Sequence, residues 1–271
     1  PGSALAAEDE RTIAGERWVR THQDQWFPRR DLVAARPSDF RGEAVEGALE
    51  VAWVVADRAD LFADPREGAK RIGTRERFTR LRVLALPAAA GKGRPSAFVQ
   101  VEADGTTGHV RLRDLARPSV APPPAEVDVP RGERWIDVDL SSQTLVAYEG
   151  ARPVYTTLVS TGRGAEGTDT ATRKGAHRLW VKLTSSTMAG GDDDDRYSIE
   201  DVPFVQFFDG AIALHGAFWH RDFGRVHSHG CVNLAPRDAA WLFGFTSPHV
   251  PRGWAAVFPT SDEPGTLVRV R

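Results

Sequence analysis

Residues 225–234 read RVHSHGCVNL and hold the only cysteine of the chain, Cys231. His227 and His229 stand within four residues of it, and Gly230 directly precedes it. A lone thiol closes no internal disulfide, so three roles remain: a buried small hydrophobe, a metal ligand or a nucleophile. A thiol attacks a carbonyl carbon well only as thiolate, and its unperturbed pKa lies near ~8.5. An imidazole within hydrogen-bond reach takes the proton and forms an ion pair. It also returns a proton to a departing amine near neutral pH. Cysteine acyl transfer therefore needs one Cys, one placed His and donors for an oxyanion. Gly230 permits unusual dihedrals just before the thiol, which would let the Gly230 and Cys231 amides point at that oxyanion.

Two histidines compete for the role of base. His229 lies two residues from Cys231, on the same face of an extended segment but tightly placed. His215 sits on a separate strand-like run, AIALHGAF, and a base carried on another element approaches a nucleophile more freely. His215 is the preferred base. His220, His227, His229 and Cys231 also form a zinc-type donor set, but their spacing matches no common zinc pattern, so no metal is expected. The run Asp192–Asp195 lacks the alternation of a calcium loop and reads as a solvated stretch. It falls inside residues 185–201, read as a mobile flap that brings Tyr197 to a substrate. Trp219, four residues after His215, is a core residue or a groove wall.

The elements that must hold these groups are short strands. Trp135–Leu140 alternates cleanly, Thr144–Tyr148 follows, and Val154–Ser160 completes a meander. Leu179–Leu183 and Phe204–Phe208 add strands, and only Arg237–Phe243 reads as a helix. Upstream, residues 18–38 and 98–119 share an aromatic-Val start, a turn, a second strand, then Arg-Asp-Leu and Arg-Pro-Ser. Asp104-Gly105 is a hairpin signal in the second copy. Together with Trp53–Val55 and Arg80–Leu86 it suggests a barrel of about five strands, similar to a bacterial SH3-like domain. The first copy lacks upstream strands in this reading. Five prolines in 118–130 mark a stiff linker.

Composition narrows the class. A formal net charge of −2 argues against a nucleic-acid binder, and no apolar run is long enough to span a membrane. The chain opens Pro1-Gly2-Ser3 without Met or leader, which reads as a trimmed end. A single Cys suits an exported protein.

His215-Gly216, then Ser228-His229-Gly230-Cys231-Val232-Asn233, resembles the signature of the YkuD-type L,D-transpeptidases. Residues 135–162 also look like that domain's opening strands. The resemblance implies a mainly β fold, a β-sandwich catalytic domain over 133–271. Before it would come an extension or partial repeat (1–47), the SH3-like domain (48–118) and the Pro-rich linker (119–132). It implies Cys231 as nucleophile and His215 as base, with Ser228, His229 and Gly230 shaping the oxyanion site. Trp219, Asn233 and Tyr197 would meet the substrate.

The implied substrate is a peptidoglycan tetrapeptide stem. Cys231 would attack the carbonyl of its third, diaminopimelate-like residue and release D-Ala. A second stem's amine would then resolve the thioester into a 3→3 crosslink. No cofactor is implied, and the place is the periplasm or cell wall. Wall glycan or a wall-attached protein are further partners. Rivals with the same thioester are an L,D-carboxypeptidase, a protein-to-wall ligase and exchange of D-Ala for other D-amino acids. A catalytically idle wall-binding protein is the rival of another class. Arg173 stands where the family often has Pro, and Asn233 where many relatives have Arg to hold a substrate carboxylate.

Overall fold

The computed structural model describes residues 3–86, 97–191 and 196–271. The chain is mainly β, in three successive sheets. The first joins β1 (Ala7–Ile13), β2 (Glu16–Thr21) and β3 (Trp26–Pro28) in chain order. The short β4 (Glu43–Ala44) leaves this region to pair with a strand of the third sheet.

The second sheet holds β5 (Val51–Val54), β6 (Arg58–Phe62), β7 (Arg71–Glu76) and β8 (Arg80–Ala85). To these it adds β9 (Phe98–Ala103), β10 (Thr106–Arg111) and β11 (Leu115–Ala116), in the order β11-β5-β8-β9-β10-β6-β7. Alternate residues such as Ala52 and Val54, Ala59 and Leu61, Leu81 and Val83, and Val99 and Val101 enclose a core of its own. Seven strands replace the expected five, because β6 and β7 carry too many charged residues to alternate visibly. Asp104 and Gly105 both take positive φ, as a tight hairpin turn requires. The repeat is structural: β2, β3 and a 3-10 turn at Arg29–Asp31 mirror β9, β10 and a 3-10 turn at Leu112–Asp114. The first copy does have an upstream strand, β1, which antiparallel pairing ties to β2.

The third sheet contains β12 (Arg134–Asp139), β13 (Thr144–Glu149), β14 (Arg152–Ser160), β15 (Gly175–Arg178) and β16 (Val181–Gly190). It continues with β17 (Tyr197–Asp209), β18 (Ile212–Gly216), β19 (Val232–Leu234), β20 (Ala256–Val257) and β21 (Leu267–Val270). Its path runs β15-β21-β12-β13-β14-β19-β18-β17-β16-β20. β14 is the corner: it pairs with β13 along most of its length, and its last residues, Val159 and Ser160, pair with β19. The two halves of the path then face each other. Ile136, Leu145 and Val268 on one side share a core with Leu214, Val232 and Leu234 on the other. Helix α1 (Pro236–Phe245), with Pro at its first turn, packs Ala239, Leu242 and Phe245 into the same core.

Two expectations change. Residues 185–190 and 197–201 are strand, not loop: they end the paired arm of β16 and β17, with Met188 opposite Ile199 and Gly190 opposite Tyr197. Asp192–Asp195, with the calcium reading attached to it, lies outside the described residues. The Pro-rich segment is not a free spacer either. Its Ala121 and Val127 are buried against Trp135, Val146, Tyr148 and Leu267, and the Ala121 amide donates to Tyr148 Oη at 3.0 Å.

The second sheet is seated on the third. Phe40, Trp53 and Val55 join Leu158, Ala217, Phe223 and Ala235 in one apolar cluster. Beside it, buried Asp238 accepts from the Gly42 amide at 2.9 Å and from Tyr155 Oη at 2.7 Å. This pins the 40–44 segment to the start of α1.

Candidate active site

β18 and β19 are parallel neighbours, with Leu214 opposite Val232 and His215 opposite Asn233. Side chains two apart on a strand leave the same face. Cys231 stands just before β19, two residues ahead of Asn233, and opens on the same cavity as His215. All three line a cavity of about 450 Å³ with Tyr197, Trp219, Ser228, His229, Arg163 and Arg196. The pairing explains why a His and a Cys sixteen positions apart share one site.

The loop before the nucleophile is held from both sides. The amides of His227 and Ser228 both donate to the Thr161 carbonyl at 3.0 Å, and the Arg163 amide donates to the Ser228 carbonyl at 3.0 Å. Buried Thr172 bridges the two segments: its Oγ1 donates to the Gly230 carbonyl at 2.7 Å and accepts from the Gly162 amide at 2.8 Å. Ser228 Oγ donates to the Cys231 carbonyl. Gly230 has φ of +129°, a region closed to side-chain-bearing residues, which turns the chain into β19. Its amide donates to Ser228 Oγ at 3.1 Å, so in this arrangement it is not aimed at an oxyanion.

The thiol and the imidazole rest neutral. Desolvation pushes the Cys231 thiol up to about 11, against a hydrogen bond from the Ala213 backbone that favours the thiolate. The sulfur lies 3.7 Å from the Ala211 carbonyl, to which the S–H donates. Desolvation lowers His215 to about 4. Its Nδ1 lies 3.3 Å from the Gly216 carbonyl; donation there leaves Nε2 as the basic nitrogen. Loss of hydration is the largest cause in both groups, and it favours the neutral form of each.

His229 leaves the strand direction at the Gly230 turn. Its Nε2 accepts from the Arg163 guanidinium at 2.8 Å, and its ring stacks on Tyr197 at 4.7 Å. Trp219 stacks over His215 at 5.7 Å while its other contacts are core, so it is groove wall and core together. The four donors of the zinc-type set do not converge: only His220 and His227 meet, ring on ring at 4.0 Å. Nδ2 of Asn233 stands 2.9 Å from His220 Nε2, and Asn233 Oδ1 is buried with no partner among the described residues.

Sequence reasoning missed Thr172 as the loop's bridge and Arg163 as the partner of His229. A threonine and an arginine in a polar loop carry no local signal of either role. His220, one of the zinc-type set, is buried.

Residues 133–270 match the family model YkuD, described as the L,D-transpeptidase catalytic domain. No curated protein matches the chain. Among solved structures, an L,D-transpeptidase from Enterococcus faecium is 23% identical over 51% of this chain and 50% of its own, with a TM-score of 0.39. One from Xylanimonas cellulosilytica is 22% identical over 56% of this chain and 64% of its own, with a TM-score of 0.36. One from Mycobacterium smegmatis is 14% identical over 100% of this chain and 94% of its own, with a TM-score of 0.39. The chain spans about half the length of the E. faecium relative.

Proposed function

This chain belongs to the YkuD family of L,D-transpeptidase catalytic domains, and from that premise we propose that it is an exported peptidoglycan L,D-transpeptidase. One observation carries the reading: the parallel pairing of β18 and β19 brings His215 and Cys231 to one cavity. Residues 133–271 form the catalytic unit, preceded by a partial repeat (1–47), an SH3-like module (48–118) and a Pro-rich connection (119–132). The substrates are peptidoglycan stems, as donor and as acceptor.

The donor stem lies in the cavity with the carbonyl of its third, diaminopimelate-like residue at Cys231. As the S–C bond forms, His215 Nε2 takes the thiol proton, so charge appears only on the way to the tetrahedral intermediate. The imidazolium then protonates the amine of D-Ala as the C–N bond breaks. The amine of a second stem attacks the thioester, His215 accepts its proton, and the sulfur leaves and is reprotonated. Ser228 and Thr172 hold the nucleophile turn. Trp219, Asn233, Tyr197 and His229 line the groove, and Arg163 and Arg196 supply positive charge for stem carboxylates.

The test is mass spectrometry of the protein with a diaminopimelate-containing disaccharide-tetrapeptide, wild type against Cys231→Ala. Dimers lacking one D-Ala, formed only by wild type, are the expected result. Tripeptide monomer alone assigns water as the acceptor. No Cys231-dependent product defeats the reading.

A further inference from the structure

Outside the reacting pair, the structure gathers a second set of donors. His220, Asp222 and His227 each place one ligand-type atom within 4.8 Å of the others. Asp222 and His227 are partly exposed, so the set is open to solvent on one side, while His220 closes it from the buried side. We propose that His220, Asp222 and His227 form a binding site for a divalent transition ion of the zinc type, at the rim of the catalytic groove.

Two imidazoles and a carboxylate, with water in the remaining position, are a donor set that such ions accept. In a tetrahedral site with metal–ligand bonds near ~2.0–2.1 Å, ligand atoms stand about 3.3 Å apart. His227 Nδ1 and Asp222 Oδ2 are already 3.1 Å apart, and the two imidazole rings lie with centroids 4.0 Å apart.

His220 Nδ1 accepts from the Asp222 backbone amide at 3.1 Å, so an ion bound there takes the place of that hydrogen bond. The opposite nitrogen faces the Asn233 carboxamide, whose Oδ1 is the orphaned buried atom. Turned end for end, that carboxamide accepts from Nε2–H, the outer hydrogen bond that orients a metal-bound imidazole. It then presents its NH2 in place of the orphaned oxygen.

The site does not depend on the thiol or on the proposed reaction. It is tested by titrating Zn²⁺ into the full chain carrying Cys231→Ala, followed by calorimetry. One ion per chain is expected. Affinity should fall about tenfold or more when His227→Gln or Asp222→Asn is added. Both positions are partly exposed, and unchanged melting without metal verifies that each variant is folded. Co²⁺ bound to wild type should give visible bands of nitrogen and oxygen ligation without a sulfur charge-transfer band. Three results overturn the proposal: no saturable binding, binding indifferent to both substitutions, or a cobalt spectrum that requires Cys231.

Discussion

Cys231 and His215 each need the proton where a preformed ion pair would not leave it. The thiol is held up at about 11 and the imidazole down at about 4, both chiefly by desolvation. His215 acts as base only when neutral. A lowered pKa extends that form to lower pH, so the acid limb of kcat/KM should fall near pH 4 rather than near ~6.5. A limb near the ordinary histidine value would mean that His215 keeps its hydration in the free protein. Thr172→Val leaves the Gly230 carbonyl and the Gly162 amide without their bridge. It should cost about 2 kcal/mol in urea denaturation and slow thiol acylation by a carbapenem-type β-lactam. Gly230→Ala places a side chain at φ of +129° and should cost roughly 1–3 kcal/mol, with acylation lost as Cys231 is turned from the groove.

At the scale of elements, the alternating strands were readable because one face of each is core. Val138 on β12 and Leu145 on β13 repeat the pattern that hides them. The reacting pair was readable for another reason: thiol chemistry needs a histidine, and His215 stood on a strand of its own. What the sequence concealed was the arm of β16 and β17. Its outer residues, such as Ser185, Ser186 and Ser198, are polar on both faces and leave no apolar period, so pairing beyond Leu183 was invisible. Backbone pairing now predicts the outcome of hydrogen exchange in the free protein. Amides of 181–189 and 198–208 should exchange more slowly than those of the loop at 165–167, and equal rates would contradict a paired arm. Thr172 and Arg163 carry no local signal because Thr172 meets only backbone atoms, and Gly230 and His229 lie more than fifty positions away from them.

At the scale of the molecule, the N-terminal sheets do not hang from the catalytic part. Phe40 touches Trp53, Phe78 and Phe223, at ring distances of 5.8, 4.9 and 6.5 Å. Phe223 belongs to the same connection as Trp219 and His220, so this cluster supports the groove from behind. Phe40→Ala should destabilise the whole chain by about 3–5 kcal/mol. A single thermal transition that moves as a unit is the expected record, and a new early transition confined to the N-terminal sheets would show that the two parts melt separately.

The connection between β18 and β19 has one more property. Parallel strands cannot be joined by a tight turn, and here the crossover from 217 to 231 contains no helix. Both its ends are anchored: the Ala217 amide donates to the Leu234 carbonyl at 2.8 Å, and Leu214 is opposite Val232. The crossover is thus a cassette with fixed sockets. Within it Phe223 is locked into the apolar cluster and residues 227–230 are tied to Thr161 and Thr172, so the sulfur and the imidazole keep their places without a helix between them.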